Sequence, residues 1–312
     1  MSSIALVGQP NVGKSVIFHR LTGRYVNVSN YPGTTVEVTR GEFRDRTKQT
    51  ILDTPGVLTL PARSEDEQAT AHILLNEKLD ALVQVGDAKN LRRTVQLALL
   101  LAEAGVPMVL ALNMMDEARV RGMDINVAKL AAELGLTVVP TVATGNEGMV
   151  ALTRAIHEAR VPVFRLAYAD EIEATIDDLV LLLPAAHLLP RVIALLYLAG
   201  DKATEEWLAT QNADLFALSA RRDHLQEKFT EPLAEILQRA RIAAAEAVVR
   251  RVVHDTGQLT HGLVQRIGQW SVHRWLGWPI VALVLYMVYA FVGQFGAGVL
   301  VGLLEKDLFN GI

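Results

Sequence analysis

Between residues 1 and 160 the apolar residues fall into short runs separated by stretches of helical spacing. The short runs, Ile4–Val7, Thr50–Leu52, Ala81–Val85, Met108–Leu112 and Thr137–Val139, predict strands. Between them, Leu91–Glu103 and Asn126–Leu134 carry apolar residues at helix period. Strand and helix alternating in this way predict βαβ units and a mostly parallel sheet. The pattern changes after Gly135, Pro140 and Gly148. Residues 165–270 are Leu- and Ala-rich with helical periodicity, broken at Pro184, Pro190, Gly200 and Pro232. They predict a small all-helical domain followed by a helix that leads towards a membrane.

The last region is apolar throughout. Trp275 to Leu304 is a run of 30 residues without a charge, where a membrane span needs about 20. The Leu, Ile, Val and Phe residues between Pro279 and Val301 favour insertion by about 4–7 kcal/mol. Trp270, Trp275 and Trp278 gather at one end, as an interfacial belt does, with Arg266 and Arg274 on the same side. The expected organisation is therefore 1–164, 165–270 and 271–312, the last a membrane-approach segment and one transmembrane helix. The basic residues put the N-terminal portion in the cytoplasm.

Composition agrees. Counted with Gly and without Tyr, the apolar fraction is about 56%, above the 45–50% or so of soluble domains. The net charge of −4 argues against a nucleic-acid partner. The absence of Cys excludes disulfides, Cys-ligated metal sites and thiol nucleophiles.

Gly8-Gln9-Pro10-Asn11-Val12-Gly13-Lys14-Ser15 follows the first strand and opens the first helix, with Val16 next. This is the G-x-x-x-x-G-K-S pattern in its required context. Backbone N–H groups of such a loop form an anion nest at a helix N-terminus. Lys14 is expected to reach the β- and γ-phosphates, and the Ser15 hydroxyl to ligate Mg²⁺. Asp53-Thr54-Pro55-Gly56 ends a strand 39 residues after Lys14. There a carboxylate can hold Mg²⁺, and the Gly56 N–H can sense the γ-phosphate; ligands of open α/β sheets bind at such strand ends. In the loop Tyr31–Glu37, Thr35 is the favoured last Mg²⁺ ligand and Thr34 the alternative, in a segment that would switch with the γ-phosphate.

Asn113-Met114-Met115-Asp116 follows a strand 60 residues after Asp53. A carboxylate that takes two hydrogen bonds from one base needs adjacent donors, which guanine offers at N1 and N2 and adenine does not. Asp116 therefore points to GTP and GDP, with Met114 beside the base and Asn113 tying base loop to phosphate loop. Val142-Ala143-Thr144 fits a backbone contact to guanine O6.

These elements, in this order, resemble a Ras-like P-loop GTPase. Together with Ser29–Glu37, Asp87-Ala88-Lys89-Asn90-Leu91, Ala111–Asp116, Leu195–Asp201 and His273–Ile280 they are similar to the ferrous-iron transport protein B (FeoB) family. The resemblance implies an α/β GTPase domain with a mostly parallel sheet, a small all-α domain and a first membrane helix. It implies GTP hydrolysis coupled to Fe²⁺ passage across the bacterial inner membrane, and stimulation by K⁺ held at Asn11. As catalytic groups it points to Asn11, Lys14, Thr35 and Gly56. Val57 stands where many GTPases place a water-orienting Gln. The implied partners are the remaining transmembrane helices, small cytosolic accessory proteins of iron transport, and further copies of the chain. Members of that family continue into more membrane helices, so the iron path is expected on the rest of a longer chain or on another polypeptide.

Softer signals point to ordinary roles. His254, His261 and His273 read as interfacial or capping residues rather than an iron relay. Asp170, Glu171, Glu173, Asp177 and Asp178 read as a solvated helix face. Gln294 faces a partner or snorkels, and Gly298-x-x-x-Gly302 can seat a partner helix. Two rival readings are a membrane-anchored GTP/GDP sensor without useful turnover and a ribosome- or tRNA-associated GTPase. The second predicts a basic surface and no membrane span.

Overall fold

The computed structural model describes residues 3–23, 26–30, 36–44, 49–57, 61–62, 64–255 and 277–292. The strands are β1 (Ser3–Gly8), β2 (Val26–Asn30), β3 (Glu37–Glu42), β4 (Thr50–Asp53), β5 (Leu79–Asp87), β6 (Met108–Asn113), β7 (Met123–Ile125), β8 (Thr137–Pro140) and β9 (Val253–Asp255). The helices of residues 1–160 are α1 (Lys14–Thr22), α2 (Glu65–Asn76), α3 (Leu91–Ala102), α4 (Met115–Val120), α5 (Val127–Leu134) and α6 (Met149–His157). Then follow α7 (Asp170–Val180), α8 (Pro190–Leu198), α9 (Lys202–Thr210), α10 (Leu215–Gln226) and α11 (Leu233–Val252).

Seven strands form one sheet in the order β2-β3-β4-β1-β5-β6-β8. The pairs β4–β1, β1–β5, β5–β6 and β6–β8 are parallel, and β2–β3 and β3–β4 are antiparallel. All five predicted strands are present. Strands buried on both faces, such as β1, β5 and β6, read as apolar runs, and the shorter β4 and β8 each keep a buried apolar pair at the centre. In β1, Ile4 and Leu6 point into a core built with Ile17, Phe18 and Leu21 of α1 and Leu152 and Ile156 of α6. Ala5 and Val7 point to the opposite face, into a core shared with α3. The two-residue period of a strand divides the side chains this way.

The helices α7–α11 pack on that second face. Their core residues, among them Ile176, Ile193, Leu208, Leu237 and Val248, continue the cluster that holds Leu99 and Leu110. Residues 1–258 accordingly form one compact unit. A charged junction closes the seam. Arg191 of α8 donates to Glu103 at 3.0 Å and, with two nitrogens, to Glu173 of α7 at 2.7 and 2.8 Å. Desolvation raises the Glu103 carboxyl above its ordinary range, while the Arg191 hydrogen bonds hold Glu173 down at about 2. Of the acidic residues read as a solvated face, Glu173 therefore belongs to this junction.

Two features were not predicted. One is the antiparallel pair β2–β3, which forms one edge of the sheet and carries no apolar run. After α11 the chain turns extended: β9 pairs antiparallel with β7, setting His254 opposite Asp124. His254 is thus on a strand; His261 and His273 lie outside the described residues.

Leu259–Ile312 is a separate unit. Its described helix, Gly277–Ala290, has 14 residues, and its apolar side chains are exposed, Leu285 at 64% and Tyr289 at 75%. Among the described residues no helix is long and apolar enough to cross a membrane. The rest of the expected span, with Gln294 and Gly298–Gly302, lies outside them.

Candidate functional site

The predicted motifs meet at the C-terminal edge of the parallel strands. β1 ends at Gly8 and α1 begins at Lys14, so the phosphate-loop pattern is the strand-to-helix turn itself. The turn needs two left-handed residues, Asn11 at φ 62° and Gly13 at φ 85°. A Cβ at Gly13 would collide with the Asn113 amide, and one at Gly56 would lie 2.8 Å from Pro10 Cγ. Glycine at both positions lets the loops close on each other. Val57 N–H donates to the Gly8 carbonyl at 2.9 Å, fixing the segment after β4 against the loop. Thr54, buried, anchors the same segment by donating its hydroxyl to the Leu6 carbonyl at 2.9 Å.

Lys14 forms an ion pair with Asp53 and donates to the Thr54 carbonyl. Ser15 Oγ donates to the other Asp53 oxygen at 3.3 Å. The hydroxyl and carboxylate expected to ligate Mg²⁺ therefore converge, and both are oxygen donors of the kind that ion takes. Gln9 and Val12 are buried, whereas Pro10, Asn11 and Val16 are exposed at the same edge. Val57 is fully buried, so its side chain cannot orient a water at the site. Thr34 and Thr35 lie outside the described residues.

The base motif is held by Asn113. This side chain is buried; its Nδ2 donates to the Val12 carbonyl at 2.9 Å, and its Oδ1 accepts from Ala143 N–H at 3.0 Å and Thr141 Oγ1 at 3.2 Å. One amide thus ties together the phosphate loop, the strand bearing the base motif and the loop after β8. Met114 takes a left-handed conformation, φ 62°, and starts α4. Asp116, in the first turn, is exposed and makes no hydrogen bond or ion pair among the described residues. Val142 and Ala143 are buried and Thr144 is exposed. Because the Ala143 N–H is engaged by Asn113, Thr144 is the better placed of the two to offer a backbone donor.

Sequence reasoning missed three residues that brace these loops. Arg20 of α1 donates to the carbonyls of Ala143 at 3.3 Å and Thr144 at 3.0 Å. Lys89 pairs with Glu117 of α4 at 2.6 Å. Asp201 at the start of α9, fully buried, accepts from Ala62 N–H at 2.7 Å. Asp201 carried a local signal as a helix N-cap before Lys202, and Lys89 and Asp201 both lie in segments that carry the family resemblance.

A family model described as ferrous iron transport protein B matches residues 2–156, and one described as FeoB cytosolic helical domain matches 168–254. The Fe(2+) transporter FeoB of Shigella flexneri is 32% identical over 317 residues, which cover 99% of this chain and 40% of that protein. An Fe(2+) transport protein A/Fe(2+) transporter FeoB fusion protein of Porphyromonas gingivalis is 33% identical, over 92% of this chain and 36% of the fusion. The chain thus spans about two fifths of the length of these curated relatives. Among solved structures, the cytosolic domain of L. pneumophila FeoB has a TM-score of 0.72 at 31% identity, covering 81% of this chain and 100% of that one. A GDP-bound variant of the S. thermophilus FeoB G-domain has a TM-score of 0.71 at 30% identity, with the same coverage.

Proposed function

This chain belongs to the ferrous iron transport protein B family, and on that premise we propose that it binds and hydrolyses GTP as the cytosolic switch of an Fe²⁺ transporter. The observation that carries the nucleotide reading is Asn113, which bonds the phosphate loop through Val12 and the base loop through Ala143. In a GTPase these two loops must hold opposite ends of one nucleotide.

Water attacks the γ-phosphate, and charge spreads over its oxygens and the leaving diphosphate. Lys14 and the N–H groups of the Gly8–Ser15 loop stabilise that charge from a fixed position. To reach the phosphates the Lys14 ammonium gives up the Asp53 carboxylate, which then becomes available beside Ser15. Ser15, Asp53 and Thr35 would hold Mg²⁺, which would supply positive charge to the phosphates. Asn11, exposed at the loop tip, offers an amide oxygen for K⁺. With Val57 buried, the attacking water is oriented by backbone groups such as the Gly56 N–H or by the Thr34–Thr35 loop. Asp116 takes both guanine donors, and Val142–Thr144 frames O6.

The helical region receives the switch state through Asp201, which holds the backbone five residues after Val57. We assign 1–164 to the GTPase domain, 165–270 to the helical domain and 271–312 to the membrane-approach segment and first span. The exposed, unbroken apolar surface of 277–290 supports the last assignment, since such a helix belongs in lipid or against other helices. Fe²⁺ passes through the remaining helices of the transporter in the bacterial inner membrane. The Porphyromonas fusion supports a small accessory iron-transport protein as a partner.

The test is GTP turnover in KCl against NaCl, for the wild type and Asn11→Ala. Faster turnover in KCl, lost in the variant, is expected. Equal rates in both salts would remove K⁺ from the mechanism.

A further inference from the structure

The turn after β5 is a rigid platform beside the base motif. In the sheet register Asp87, the last residue of β5, pairs with Asn113, the last of β6. The buried Asp87 carboxylate accepts the Lys89 N–H at 2.9 Å and the Asn90 Nδ2 at 2.6 Å. Both carboxylate oxygens are thus spent on shaping one short turn. That turn delivers the Lys89 ammonium to Glu117 Oε2 at 2.6 Å. The Lys89 side chain is only 13% exposed, and that of Glu117 is 52% exposed.

Glu117 adjoins Asp116 in the first turn of α4, a turn entered through the left-handed Met114. A left-handed non-glycine residue is a strained joint and holds its angle only when both sides are fixed. Asn113 fixes the side before it. On the far side the ion pair that reaches α4 from the β5 turn is Lys89 with Glu117, beside the core packing of Met115 and Ala118.

We infer that Lys89, acting through Glu117, is a positioning residue for guanine recognition: the pair sets the first turn of α4 so that Asp116 presents both oxygens to the base. This rests on Asp116 being the base-reading carboxylate. The division of labour follows from the contacts. Glu117 takes the cation, and the neighbouring Asp116 keeps its lone pairs for ligand. A carboxylate that must meet two donors at once depends on angle far more than one meeting a single donor.

Inosine lacks the exocyclic amino group of guanine, so it asks only one hydrogen bond of Asp116. A tilt of α4 should therefore weaken GDP more than IDP. The experiment measures the Kd of GDP and of IDP by calorimetry at one ionic strength, for the full 312-residue chain and for Lys89→Met, Glu117→Gln and the double variant. The wild type is expected to prefer GDP. Each single variant should lower that preference by about three- to fivefold, the worth of one partly exposed ion pair. The double variant should lower it no further, because both changes break the same contact. A loss of packing alone would lower the melting temperature and leave the GDP-to-IDP ratio where it was. A wild-type preference retained in full by Glu117→Gln, whose exposed position spares folding, overturns the inference and leaves the base site standing. A wild type that does not distinguish GDP from IDP overturns both.

Discussion

Ala62 N–H donates to the Asp201 carboxylate at 2.7 Å, across 139 residues of sequence. The other Asp201 oxygen accepts from Thr204 N–H at 2.9 Å and Thr204 Oγ1 at 2.7 Å, capping α9. One fully buried carboxylate therefore starts a helix of the helical region and holds the segment that follows Gly56. Asp201→Ala removes a helix cap, worth about 1 kcal/mol, and leaves a buried N–H without its acceptor, costing about 1–3 kcal/mol. Urea denaturation should show a loss of about 2–4 kcal/mol. Asp201→Asn keeps one acceptor oxygen and should lose less.

Asn113→Ala strips partners from the Val12 carbonyl, the Ala143 N–H and the Thr141 hydroxyl together. With both nucleotide loops released, GDP affinity should fall by about a hundredfold or more, equivalent to two buried hydrogen bonds. Titration with a fluorescent GDP analogue reads this directly. A change under threefold would remove Asn113 from its joining role.

Asp116→Asn should weaken GDP and GTP and favour xanthine nucleotides, because the amide offers a donor where xanthine has a carbonyl. Competition between GDP and XDP measures the switch. Unchanged GDP affinity would refute the base-site assignment.

Arg20→Met leaves the carbonyls of Ala143 and Thr144 without their shared cation. Each contact lies at the protein surface or partly buried, so folding should change by less than about 1 kcal/mol. GDP dissociation, followed by stopped flow, should become faster as the loop gains freedom. A dissociation rate equal to that of the wild type would count against a role for Arg20 at the base.

The Arg191 junction predicts a pH dependence with two signs. Glu173 is held at about 2, below its ordinary value of 4.5, so its stabilisation is present above pH 4.5 and is lost as pH falls towards 2. Glu103 is raised by burial, so its contribution is present below 4.5 and is lost as pH rises through its folded value. Glu173→Gln should flatten the acid limb of the stability curve between pH 4.5 and 2. Glu103→Gln should flatten the opposing limb above it. Thermal melts across pH 2–7 test both; an acid limb unaltered in Glu173→Gln would count against the junction.

The amino-acid sequence by itself determined the nucleotide-binding strands and loops. Their chemistry is local: Gly8–Ser15 must be a turn between a strand and a helix, and Asp53 and Asn113 must end apolar strands. Buried parallel strands and glycine-dependent loops write themselves into a few adjacent residues. Tertiary structure alone decided what braces those loops. Asp201 on Ala62, Arg20 on Thr144 and Lys89 on Glu117 join residues 139, 124 and 28 positions apart. No periodicity encodes such pairs, because each depends on sheet register and helix packing that bring a side chain within hydrogen-bond reach of a group distant in sequence. The same reason explains β7 and β9, three-residue strands that exist only because α11 delivers Val253–Asp255 alongside Met123–Ile125.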